Sequence, residues 1–206
     1  MLNARTTRFA TIVLAVLLAL ALVTVITGCG DKDDSTTTAT ATGDSAQGQL
    51  PVAESALSTM APDAKLLLIQ TASGTPTTAT PVWAYLFGSP SSNKTYAVYV
   101  SDGQVMAASE YGVLELAKEE WASVPGADTM KVDSDEAYTK ALAASGAKGD
   151  PNAYMMGIMV YKPTEDTSTI KPMVWQVQFD PGESGATTST IEVDAKTGAA
   201  SVVSDQ

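Results

Sequence analysis

The chain has no histidine in 206 residues and one cysteine, Cys29. Histidine is the commonest general base near neutral pH and a leading zinc ligand. Its absence removes Ser-His-Asp and Cys-His nucleophile arrangements and the usual zinc sites. One cysteine allows no disulfide within the chain, even in an oxidising compartment. Cations are also scarce, with 12 Lys and Arg against 23 Asp and Glu, a formal net charge of −11. So acidic a surface repels phosphate backbones and anionic lipids, which argues against a nucleic-acid partner. An enzyme built from this inventory has only carboxylates, lysines and tyrosines to work with.

The N-terminus carries the clearest positive signal. Arg5 and Arg8 precede an apolar run over residues 10–26, interrupted only by Thr11 and Thr24. This is the charged and then apolar layout of a secretory signal peptide. The run falls slightly short of the roughly 20 residues that a spanning helix needs. It ends in Ile26-Thr27-Gly28-Cys29, the pattern of a lipobox: an aliphatic residue, two small ones, and a cysteine whose sulfur takes a diacylglycerol. The small residues let a signal peptidase approach the backbone. The expectation is a signal peptide over residues 1–28, cleavage before Cys29, and a palmitate-bearing lipoprotein held on the outer face of a membrane. Gly30, not Asp, follows the cysteine, which leaves inner or outer membrane open in a two-membrane cell. An uncleaved single-pass anchor is the alternative, with the domain on the same side. Removing residues 1–28 takes Arg5 and Arg8 and no acid, leaving 10 cations, 23 acids and a net charge of −13.

Residues 29–49 are Thr, Ser, Asp, Gly, Ala and Gln almost throughout, and read as a disordered tether. The rest suffices for one compact domain or two small ones sharing a sheet. Val82-Trp83-Ala84-Tyr85-Leu86-Phe87 and Val174-Trp175-Gln176-Val177-Gln178-Phe179 share a period-two pattern that predicts strands. Each precedes a second alternating stretch, residues 95–100 and 189–195. Turn sequences follow, Asp102-Gly103 and Asp194-Ala195-Lys196-Thr197-Gly198, and then short strands at 104–108 and 199–204. Pro62 suits a first helical position, with residues 64–71 continuing that helix and 52–60 adding a turn or two. Asp133 or Ser134 caps a helix reaching about Ala144, Glu136 sits at a capping-box position, and Gly146 stops it. Residues 113–121 read as a connecting helix with Val113, Leu114, Ala117 and Trp121 on one side, and 154–161 as a further strand. The expected fold class is α+β: two tandem helix-plus-antiparallel-sheet repeats, 50–126 and 127–206, with helices on one face.

The stretches Asp63-Ala64-Lys65-Leu66, Trp83 to Phe87, Val132-Asp133-Ser134-Asp135-Glu136-Ala137, Trp175 to Phe179 and the segment from Ile191 to Gly198 resemble tandem PepSY-like domains of secreted and lipid-anchored bacterial proteins. The layout is also similar to the repeat architecture of β-lactamase inhibitory proteins. The resemblance covers about residues 62–203 and implies a binding or regulatory module, one proposed to modulate proteases. It carries over no catalytic residue.

Lys196-Thr197-Gly198, Ser91-Ser92-Asn93-Lys94 and Ser145-Gly146-Ala147-Lys148 match motifs of serine β-lactamases, but a Ser-Asp-Asn motif is missing and the serines sit in turn-like segments. Asp133, Asp135 and Glu136 lack the alternating ligand spacing of a calcium loop and suit a helix start. Asn93-Lys94-Thr95 fits a glycosylation sequon and reads as a turn. No metal and no cofactor is expected.

With Trp83, Tyr85 and Phe87 facing the core, the opposite sheet face carries Val82, Ala84, Leu86, Ala97 and Tyr99, with hardly a polar group. Gln176, Gln178, Glu192 and Asp194 fill the corresponding places later in the chain. A patch of that kind needs a cover, either residues 113–121 or another loop of this chain, or a partner protein or ligand. The functional expectation is a non-catalytic, lipid-anchored binding or regulatory module of the cell envelope. Its candidate partner face is Val82, Ala84, Leu86 and Tyr99, and its partners are the membrane through Cys29 and an unidentified envelope protein. The alternatives are an apolar small-ligand carrier and a hydrolase using carboxylates alone.

Overall fold

The structure, a computed structural model, describes residues 41, 43–73, 80–145, 153–164, 166, 168–179 and 189–203. Cys29 and the expected lipobox residues Ile26, Thr27 and Gly28 lie outside the described residues, as does Lys148. Eight strands form one antiparallel sheet: β1 Lys65–Ser73, β2 Val82–Ser89, β3 Lys94–Ser101, β4 Gln104–Val113, β5 Ala153–Met159, β6 Val174–Phe179, β7 Ser189–Asp194 and β8 Ala200–Val203. Their order across the sheet is β4-β3-β2-β1-β5-β6-β7-β8. Among the described residues the helices are α1 Ala46–Leu57, α2 Lys118–Ser123 and α3 Ser134–Ser145, with a 3-10 turn at Ala127–Thr129.

This overturns the expected α+β fold of two tandem helix-plus-sheet repeats. The molecule is mostly β, and its strands make one uninterrupted ladder. At the centre β1 pairs with β5 through Leu68↔Met159, Ile69↔Ile158 and Gln70↔Gly157. A sheet broken there would expose two unpaired edges in the middle of an apolar region, and the pairing removes both.

The expected helix over residues 64–71 is strand β1. Leu66-Leu67-Leu68-Ile69 is apolar at every position because the strand is buried on both faces. Leu66 and Ile69 enter the main core, and Leu67 enters a smaller cluster on the other side. Such a run has no period to separate strand from helix. The helix comes earlier: α1 starts at Ala46, inside the stretch read as tether. Ser45 caps it by accepting from the Gly48 amide. The expected connecting helix is also shorter. β4 runs on to Val113, and only Lys118–Ser123 is helical. Both hairpin turns form. Asp102 and Gly103 adopt φ +49° and +70°, and Gly198 adopts φ +72°.

The main core lies on one sheet face. Trp83, Tyr85, Phe87, Val98, Ile158, Trp175, Val177, Phe179 and Ile191 point to it. α1 covers β2, β3 and β4 from that side, and α3 covers β6, β7 and β8. Leu50, Ala53 and Leu57 of α1, and Ala137, Tyr138 and Ala141 of α3, close the core.

Candidate functional site

Strand alternation puts Val82, Ala84, Leu86 and Gly88 of β2 on the face away from α1 and α3. Across β3 they meet Tyr99, Ala97 and Thr95 in the pairs Ala84↔Tyr99, Leu86↔Ala97 and Gly88↔Thr95. On the other side β1 supplies Leu68 opposite Leu86 and Gln70 opposite Ala84. Ala84 keeps 5% of its surface exposed and Leu86 7%, whereas Val82 and Tyr99 are half-buried. The accessible part of the four-residue face is therefore its rim, Val82 and Tyr99, rather than Leu86.

One end of this face is roofed by the chain itself. Trp121 of α2 joins Leu67, Leu114 and Val124 in the small cluster, with Leu116 and Tyr161 against it. A Cβ on Gly88 would come within 2.6 Å of Trp121 Cη2 and 2.9 Å of Leu67 Cδ1, so the indole lies where only glycine leaves room. Four hydrogen bonds hold the roof. Lys65 Nζ donates to the Trp121 carbonyl at 2.7 Å. Glu120 accepts from the amides of Ala117 and Thr164 at 3.2 Å each, and the Tyr161 hydroxyl donates to it at 3.4 Å. Desolvation pushes the Glu120 carboxyl up, but these donors together hold it below its ordinary range. Burial, chiefly, raises the Tyr161 hydroxyl. Trp121 Nε1 and Thr95 Oγ1 are buried here without a hydrogen-bond partner among the described residues. Gly88→Val is expected to lift the indole off the sheet and to cost about 1–3 kcal/mol, as other overpacked sites do. Tryptophan emission should shift to the red, because Trp83 and Trp175 stay buried. An unchanged spectrum and melting curve would count against this docking.

The outer face of β6 and β7 is polar. Glu192 pairs with Lys171 at 2.6 Å. Asp194 Oδ1 accepts from the amides of Lys196 and Thr197 at 2.9 and 2.8 Å and from the Thr197 hydroxyl at 3.0 Å, which lowers its pKa. Lys196-Thr197-Gly198 is thus a hairpin turn organised by Asp194. Ser91 lies in the β2–β3 turn, its amide donating to Asp63 Oδ2 at 2.7 Å, and Lys94 pairs with Glu110 at 2.6 Å. The Ser145 hydroxyl donates to the Leu142 carbonyl. Asn93 takes φ +54° in the turn before β3.

The acids near the α3 start do not converge on a common point. The Glu136 amide donates to Asp135 Oδ1 at 2.8 Å, Glu136 pairs with Lys140 at 3.4 Å, and Asp133 turns toward α1. Among the described residues no three His, Cys, Asp or Glu side chains are grouped to hold a metal ion.

The Asp133 contact is a site that sequence reasoning missed. The Ser45 hydroxyl donates to Asp133 Oδ2 at 2.6 Å, and the amides of Gln47 and Ser134 donate to Oδ1 at 3.0 and 2.6 Å. The Ala46 amide donates to Ser134 Oγ at 2.9 Å. One carboxylate thus ties together the N-terminal turns of α1 and α3, where the helix dipoles favour negative charge. Above it the Trp83 indole donates to the Asp44 carbonyl at 2.8 Å and the Tyr85 hydroxyl to the Ala46 carbonyl at 2.7 Å. Burial, and secondarily the Asp133 charge, pushes the Tyr85 pKa strongly upward, so the phenol stays a donor. The partners are 88 residues apart, and no local motif announces such a contact.

No family model matches this chain, and no curated protein matches it. A crystal structure of a candidate lipoprotein from Clostridium difficile 630 is similar over 75% of this chain and 90% of that one, at 14% identity and a TM-score of 0.49. Among the described residues no helix is long and apolar enough to cross a membrane.

Proposed function

We propose that this chain is a lipid-anchored, non-catalytic binding module of the cell envelope, attached through Cys29 and meeting a partner protein on the outer face of β2 and β3. One observation carries the reading: the two faces of the sheet are finished differently. The inner face is closed by α1 and α3 over a continuous core. On the outer face Ala84, Leu86 and Ala97 are themselves buried, the half-buried Val82 and Tyr99 form the accessible apolar rim of the strip, and α2 docks beyond its end, at Gly88. The same face of β6 and β7 carries Gln176, Gln178 and Glu192 instead, so a wet surface was open to this sheet. The lipobox Ile26-Thr27-Gly28-Cys29 and the lack of histidine support an anchored, non-catalytic role.

The anchor is tested by mass spectrometry of the protein from the membrane fraction. A chain beginning at a diacylglyceryl-modified Cys29 is expected, and an intact chain from Met1 with a free thiol refutes it. The face is tested by Tyr99→Glu in the full chain. Tyr99 is half-buried at the rim, so the variant should melt like the parent and lose the envelope protein that cross-links to the parent. Undiminished cross-linking by the folded variant places the binding surface elsewhere. Leu86→Gln is the internal comparison. At 7% exposure its amide is buried without a prepared partner, and a stability loss of about 1–3 kcal/mol is expected.

A further inference from the structure

The chain enters the fold at the tip of the β3–β4 hairpin. Ala41 packs against the main core, and a Cβ on Gly103 would lie 3.3 Å from the Ala41 Cβ. Gln49 fixes this junction: its Nε2 donates to the Gly43 carbonyl at 2.6 Å, and its Oε1 accepts from the Gly103 amide at 2.8 Å. Directly after that turn stand Val105, 42% exposed, and Met106, 60% exposed. Apolar side chains this open are unfavourable in water. They also sit beside the point from which the chain leads back to Cys29.

We propose that the β3–β4 hairpin tip, through Val105 and Met106, rests on the lipid surface and orients the domain. This rests on the Cys29 anchor proposed above. Twelve residues lead from Cys29 to Ala41, a covalent reach of at most about 42 Å at ~3.5 Å per residue. The ten residues of β4 span roughly 34 Å. Seating the far end of β4 on the membrane would therefore use up most of that reach. Seating the hairpin tip uses almost none. Asp44 and Asp102 are exposed at the same tip, and the mature chain carries a net charge of −13. The surface it fits is a neutral, zwitterionic one, because anionic headgroups would repel these carboxylates.

With Cys29 acylated, an introduced cysteine is the chain's single free thiol. Met106→Cys, Val113→Cys and Val202→Cys place a fluorophore at three comparably open positions, the native side chains being 60%, 62% and 57% exposed. Val113 lies at the far end of β4, and Val202 on the opposite sheet edge. The lipidated protein is held in phosphatidylcholine vesicles containing a spin-labelled phosphatidylcholine. Quenching should be several-fold stronger at 106 than at 113 or 202, and should weaken as anionic lipid is added. Equal quenching at the three positions, or the strongest at 113 or 202, overturns the orientation while leaving the anchor standing. An N-terminal mass without lipid overturns the anchor and the orientation with it.

Discussion

Trp83→Ala and Trp175→Ala are each expected to destabilise the protein by about 3–5 kcal/mol, measured by denaturant unfolding of the full chain. Both indoles are completely buried in the main core. Each also donates its N–H to a backbone carbonyl that no strand or helix satisfies: Trp83 to Asp44 at 2.8 Å, Trp175 to Val132 at 2.9 Å. Truncation opens a cavity and takes a donor away from that carbonyl, the cavity being the larger loss. Trp→Phe keeps most of the volume but not the donor, so its loss should be clearly smaller than that of alanine. A loss under about 1 kcal/mol for either alanine variant would mean that its core can collapse around the gap, contrary to the packing described.

Asp133→Ala is the second large effect, with an expected cost of about 2–4 kcal/mol. It removes the charged acceptor of the Ser45 hydroxyl and of the Gln47 and Ser134 amides. The damage should be local first. Amides of α1 should lose hydrogen-exchange protection, because α1 is held there by the clasp, while those of β6 and β7 keep theirs. Asp133→Asn retains the size and one acceptor oxygen, and should fall between alanine and the parent. Full protection of α1 in Asp133→Ala would show that apolar packing by Leu50, Ala53 and Leu57 holds the helix unaided.

The sequence could be read where a side-chain pattern is set by a local cause. β2 and β6 show strict alternation because one side meets the core, and both tryptophans were legible as core residues. The turns at Asp102-Gly103 and Asp194 to Gly198 follow from backbone conformations that few residues adopt, φ +70° and +72° at the glycines. α3 is announced by acids at its start. β1 carries no such mark, because a strand buried on two faces has no period to set it apart from a helix. The second half of α1 falls within the turns expected over residues 52–60, but its start lies in a polar stretch whose burial depends on Trp83, Tyr85 and Asp133, none of them near it in sequence.

The same division runs through the candidate site. Its apolar character was visible in Val82, Ala84, Leu86 and Tyr99. How much of it reaches solvent was not, since Leu68 and Ala97 come from two other strands and Trp121 from α2.

By itself the sequence carried the lipobox-like pattern that ends in Cys29, the excess of 23 acids over 12 cations, the absence of histidine, and the strands and turns whose patterns are local. Only the tertiary structure decided that eight strands join in one sheet, that Asp133 binds two helix starts, and that the outer face narrows to a rim at Val82 and Tyr99. The physical reason is that strand pairing and burial on a second face are contacts between distant segments, and their energy is shared by residues that carry no mark of one another.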